Sequence, residues 1–207
     1  VGSEMCIRDR ACISDHLCIS YLRRRKGGQR LYPQNRKACL GLKGGDVMIG
    51  VTIIALGKLK EKYMREFSEE YQKRLSAYCK LNIVELSPKM LSDNPSENEI
   101  KNALAAEAQQ IKAKIPSNSY VFSMCIEGKQ SSSEAFSQKL SEIAVNGKSN
   151  IVFIIGSSFG LSDEIKNISD FKFSMSQMTF PHQMARIMLL EQIYRAFQIS
   201  SGGKYHK

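Results

Sequence analysis

From residue 48 onward the chain alternates two hydrophobic patterns. Residues 49–56 form a short apolar run with β-branched Val51, Thr52, Ile53 and Ile54, as in a strand buried on both faces. Gly57 ends it. Across 60–78, Tyr63, Met64, Phe67, Tyr71, Leu75 and Tyr78 recur at helical spacing with Lys, Arg and Glu opposite, predicting an amphipathic helix. A second strand is predicted over 81–86, followed by a polar loop over 88–95. Ser96 and Glu99 form a capping box, opening a helix with Ile100, Leu104, Ala108 and Ile111 inward. A third strand is predicted over 120–126. Ser131 and Glu134 repeat the capping box before a helix carrying Phe136, Leu140, Ile143 and Ala144, which Gly147 stops.

Residues 151–155 are five consecutive apolar side chains running into Gly156 and predict a fourth strand. Ser162 caps a short helix, and 171–175 supplies a fifth strand. Pro181 suits the first turn of a last helix reaching about residue 199. In that helix Met184, Ile187, Met188, Leu189, Leu190, Ile193, Tyr194 and Phe197 cover more than one face. It is therefore either deeply buried or shared with a second subunit. Strands alternating with helices imply an α/β fold, a mostly parallel sheet of five to six strands with helices on both faces.

Composition separates the first 47 residues from the rest. Of 207 residues, 30 are Lys or Arg and 20 are Asp or Glu, a net charge of +10. The first 47 hold ten of those basic residues and four of the acids, so +6 lies there and +4 beyond. Four of the six cysteines, Cys6, Cys12, Cys18 and Cys39, lie there too. The stretch shows no sustained period of 3.6 or 2, so no packed core is expected in it. Cys12, His16 and Cys18 match no established zinc spacing, and no metal is expected. The prefix, 1–47, reads as non-native or disordered, with the native start at Met48 and one domain over 48–207. No apolar run approaches the roughly 18 residues of a membrane-spanning helix. Cys79 and Cys125 fit a reducing cytoplasm, where neither needs a disulfide.

In an open parallel sheet, ligands sit beyond the carboxyl ends of the strands. Three segments fall there. Gly156-Ser157-Ser158-Phe159-Gly160-Leu161 lets backbone N–H groups approach a ligand, or forms a tight strand-to-helix turn and nothing more. It lacks both the dinucleotide three-glycine spacing and the Gly-Lys-Ser/Thr of a phosphate loop. Residues 175–180, before Pro181 and His182, offer apolar walls with backbone and hydroxyl groups, as a flat heteroaromatic ligand needs, or form a polar connection with two core methionines. The third is the tail, Gly202-Gly203-Lys204-Tyr205-His206-Lys207, which by itself reads as solvated. These residues alone support an α/β domain with a small-ligand site near Gly156.

The order of the segments is more specific. Gly156-Ser157-Ser158-Phe159-Gly160-Leu161, then the run from Phe173 to His182, then Arg186, Glu191, Tyr194, Arg195 and Ala196, and the ending Tyr205-His206-Lys207 strongly resemble the RlmH family. These are 23S ribosomal RNA pseudouridine N3-methyltransferases of the α/β-knot, or SPOUT, superfamily. The resemblance includes Ala55-Leu56-Gly57-Lys58-Leu59-Lys60 and Glu127-Gly128-Lys129, and spans 48–207.

It implies a C-terminal trefoil knot, a homodimer packed through the knotted region, and S-adenosyl-L-methionine as cofactor. The implied cofactor contacts are Met124, Gly156, Met175, Ser176, Gln177, Met178, Thr179 and Phe180. His206 and His182 are the candidates for the base or hydrogen bond that the imide nitrogen requires. Arg186, Arg195, Lys204 and Lys207 suit phosphate contacts in ribosomal RNA. The modest +4 fits an enzyme that reads the assembled ribosome rather than naked RNA. Two alternatives stay open: a knotted methyltransferase acting on another RNA such as tRNA, and a non-catalytic ribosome-binding protein with this fold. Many relatives carry two glycines where this chain has Gly156 and Ser157; serine is small, so a modest change in the loop is expected rather than loss of binding, with a hydroxyl able to crowd the cofactor.

Overall fold

A computed structural model describes residues 48–206. The expectations for 1–47, including the start at Met48 and the rejected Cys12, His16 and Cys18 metal set, lie outside the described residues. So does Lys207.

Five strands, β1 (Gly50–Leu56), β2 (Lys80–Leu86), β3 (Ser119–Gln130), β4 (Asn150–Ile155) and β5 (Phe171–Ser174), form one sheet in the order β2-β1-β4-β3-β5. Every pairing is parallel, as the alternation of strands and helices predicts. The helices are α1 (Lys62–Leu75), α2 (Glu97–Lys112), α3 (Ser133–Val145), α4 (Asp163–Ile168) and α5 (His182–Ser200). α5 packs against α1 and α3 on one face, and α2 lies with α4 on the other.

Two hydrophobic cores follow from the period of two along the strands. Val51, Ile53 and Ala55 of β1 point to the face of α1, α3 and α5, where they meet Leu75, Phe136, Leu189 and Phe197. Ile54 and Leu56 point the other way, onto Ala108 and Ile111 of α2 and Ile165 of α4. Each fully buried Ile, Leu or Phe contributes about 1.5–3 kcal/mol. Phe153 of β4 stacks on Phe122 of β3 at a centroid distance of 4.8 Å, at the centre of the first core.

Four local expectations change. α1 starts at Lys62 rather than residue 60, because Arg65 Nη1 donates to the carbonyls of Leu59 and Lys60 and holds them as a loop. On α1, Tyr63 and Phe67 are 58% and 57% exposed although their spacing places them with the inward set. α3 is capped by Ser132, not Ser131: its hydroxyl accepts from Ala135 N at 3.2 Å, while Glu134 Oε1 lies 2.7 Å from His206 Nε2. The Ser96–Glu99 capping box forms as predicted. β3 runs on to Gln130, with a register shift between Met124 and Lys129 against β5.

Candidate functional site

The carboxyl ends of β4, β3 and β5 open into a cavity of about 740 Å³, within the range of small-molecule sites. Three sequence-distant segments supply most of its wall, residues 124–127 from the β3 bulge, 155–161 from the turn after β4, and 173–176 with 178–182 leading into α5, and Lys166 and Ala185 complete it.

Local chemistry explains each wall. In the bulge, a Cβ at Gly128 would sit 2.7 Å from backbone atoms of Lys172 and Phe173, so only glycine lets β5 approach this closely. The bulge carries Cys125, Ile126 and Glu127 into the cavity lining. In the turn after β4, a Cβ at Gly156 would lie 2.3 Å from the Gly160 carbonyl oxygen. Gly160 adopts φ +80°, and its N–H donates to Ser157 O at 3.0 Å, closing the turn. In the third wall, Ser174 Oγ donates to Ser176 O at 2.8 Å and Met178 N donates to Ser176 Oγ at 3.0 Å, so two hydroxyls order the chain before Pro181.

Of the eight residues named for the cofactor, seven line this cavity: Met124, Gly156, Met175, Ser176, Met178, Thr179 and Phe180. Gln177 is exposed and lies outside the lining. The Ser157 hydroxyl donates to Glu107 Oε2 at 3.1 Å, a partner on α2 that sequence reasoning does not single out.

The two histidines part company. His182 lines the cavity as the first residue of α5, its Nε2 3.1 Å from where a Cβ on Gly57 would lie. His206 is outside the lining, with Nε2 2.7 Å from Glu134 Oε1 and Nδ1 3.3 Å from Arg195 Nη1. Glu134's own backbone N–H, the Ser132 hydroxyl and His206 together hold that carboxyl down at about 2.

The arginines are also engaged. Arg186 is 5% exposed and its Nη1 donates to Glu85 Oε1 at 2.7 Å, inside the protein rather than on an RNA-facing surface. Arg195 is paired with Glu191 at 2.5 Å and lies over the Tyr205 ring at 4.8 Å. Lys204 is exposed.

One charged pair in the lining has no signature in the sequence. Lys166 Nζ of α4 lies 2.6 Å from Glu127 Oε1 of the bulge. Their hydrogen bond and attraction lower the Glu127 pKa and raise that of Lys166. The two are distant in sequence, so no local spacing signals them. Cys125 beside them is pushed up by burial and then by the Glu127 charge, which disfavours a nucleophilic thiolate. Among the described residues no group of three or more potential ligands could hold a metal. No helix among them is long and apolar enough to cross a membrane.

The arrangement suits a ligand that is part flat and apolar, part charged. Met124, Ile155, Leu161, Phe173 and Phe180 supply apolar wall, the glycine turn brings backbone to the ligand, and Glu127 with Lys166 offers both signs of charge. The chain matches the family model described as "Predicted SPOUT methyltransferase" over residues 49–206. It is 51% identical over 159 residues to a protein of Leuconostoc mesenteroides named ribosomal RNA large subunit methyltransferase H, covering 77% of this chain and all of that relative. Proteins of the same name from Clostridium novyi and Clostridioides difficile are 48% and 47% identical, each over the same shares of the two chains.

Proposed function

The chain belongs to the SPOUT methyltransferase family, and from that premise we propose that it methylates N3 of a pseudouridine in 23S ribosomal RNA. In this proposal the methyl donor is S-adenosyl-L-methionine, the substrate is the assembled ribosome, and the enzyme works in the cytoplasm as a homodimer. The native domain is 48–207, and its C-terminal segments form a trefoil knot. The observation that carries the reading is the convergence of seven of the eight cofactor residues on one cavity at the carboxyl edge of the sheet.

The donor fits the residues present. The turn over 156–160 brings backbone to the cavity, the apolar walls match an adenine ring, and Glu127 and Lys166 complement an amino acid's ammonium and carboxylate. When bound, the sulfonium supplies an electrophilic methyl carbon. The protein's own task is then alignment of nucleophile, carbon and leaving sulfur, and removal of the imide proton. His182, at the cavity wall beside Gly57, is placed to accept that proton or to donate a hydrogen bond to the resulting anion. For His206 to serve instead, it would have to leave Glu134. Arg195, Lys204 and Lys207 remain the proposed phosphate contacts, whereas Arg186 orients α5 through Glu85.

A homodimer is supported by apolar surface that one protomer leaves open. Tyr63 and Phe67 on α1 and Met184 on α5 are exposed, and these two helices pack side by side. The test is methyl transfer from isotope-labelled S-adenosylmethionine, with nucleosides resolved by mass spectrometry. Labelled N3-methylpseudouridine from intact ribosomes is expected. Labelled tRNA instead would replace the substrate, and equal labelling of naked ribosomal RNA would remove the requirement for assembly.

A further inference from the structure

The turn after β4 has a second side. Behind residues 157–159, which line the donor cavity, lies a smaller hollow of about 350 Å³ bounded by the loop after β2 and by α2. On its wall stands Glu107, an acid only 3% exposed in the middle of α2. Burying a carboxylate is costly unless its oxygens are satisfied. Here neutral donors satisfy both: Lys89 N donates to Oε1 at 2.9 Å and Ser157 Oγ donates to Oε2 at 3.1 Å. One carboxylate thus ties the loop after β2 to the turn that contains Gly156.

That turn has little tolerance. Gly156 packs directly on the Gly160 backbone, and the Ser157–Gly160 bridge closes over it. A free Ser157 hydroxyl would choose among rotamers, some of them toward the donor cavity that Ser157 also lines. Bonded to Glu107, it is committed to one.

We infer that Glu107 is a positioning residue for methyl-donor binding: it clamps the Ser157 hydroxyl away from the cavity and fixes the Gly156–Gly160 turn. The inference rests on reading the larger cavity as the donor's site. It differs from a general structural role, because the energetic effect of Glu107 on donor affinity passes through residue 157. Gln at 107 preserves the clamp: its carbonyl oxygen accepts from Lys89 N and its amide donates to Ser157 Oγ.

The test is titration calorimetry of the full chain with S-adenosylmethionine, comparing wild type, Glu107→Gln, Glu107→Ala, Ser157→Ala and the double variant, each first melted without ligand to establish folding. Glu107→Ala is expected to weaken binding about tenfold, as for loss of a hydrogen bond to a charged group. Glu107→Gln should stay close to wild type. The double variant should be no weaker than Glu107→Ala alone, since neighbours sharing one interaction are non-additive. Should Glu107→Ala fail to fold, the comparison of Glu107→Gln with Ser157→Ala carries the test, the first binding like wild type and the second more weakly. Wild-type affinity in Glu107→Ala, losses in Glu107→Gln equal to those in Glu107→Ala, or fully additive losses in the double variant would each overturn the inference. Absence of binding by wild type would instead remove the donor reading, and this inference with it.

Discussion

Gly156 is the residue at which sequence and site chemistry meet most closely. Its missing side chain is required by the Gly160 carbonyl 2.3 Å from where a Cβ would stand, a backbone neighbour that cannot swing aside. Gly156→Ala is expected to cost about 1–3 kcal/mol of stability from overpacking and to abolish donor binding, read by denaturant titration and calorimetry. The glycine was visible in the sequence because it ends an apolar run. Glu107 and the pairing of Glu127 with Lys166 were not, because each acts through a partner brought near only by the fold. The Ser157 hydroxyl, a group able to crowd the cofactor, is bonded to Glu107. Among the thiols, burial pushes Cys79 up to about 12 from an ordinary value of 9.0. The unfolded chain therefore releases that proton first, and stability falls as pH rises from 9.0 toward about 12. Denaturant midpoints measured over that range should fall less steeply in Cys79→Ala than in wild type.

At the scale of elements, the tail after α5 folds back on its own protomer. Tyr205 packs edge-on against Tyr194, its hydroxyl donates to Glu191, and His206 meets Glu134 at the start of α3. Glu134 has its carboxyl lowered from 4.5 to about 2, so its contribution is complete above 4.5 and is lost as pH falls toward about 2. The tail is expected to detach across that acid window, and in Glu134→Gln to loosen already at neutral pH. Exchange broadening or shifts of the His206 ring resonances would report it, and unchanged resonances in the variant would contradict the latch. The tail reads as merely solvated until the fold places Glu134 beside it. The neighbouring cap shows the limit of local pattern: Ser131, Ser132 and Ser133 are equivalent in sequence, and the structure selects Ser132. The pattern predicts β3 only over 120–126, whereas Gly128 permits a bulge after which pairing with β5 resumes.

Over the whole molecule, the five parallel strands and five helices were legible because each strand is a compact apolar run and each helix keeps its period. Strand order was not, since β1 pairs with both β2 and β4 through contacts far apart in the chain. The broad apolar coverage of α5 also reads correctly: it packs on α1 and α3 and leaves Met184 exposed near the proposed dimer face. Phe67→Glu is expected to convert a dimer into a monomer in analytical ultracentrifugation while leaving the protomer folded, because this side chain is already 57% exposed. A persistent dimer would move the interface elsewhere. The claim on which all of this depends is that the methyl donor occupies the hollow at the carboxyl edge of the sheet. A crystal structure with S-adenosylhomocysteine measures this most directly. The account predicts density against Gly156 and along residues 175–180, and density elsewhere, or none at saturating ligand, would contradict it.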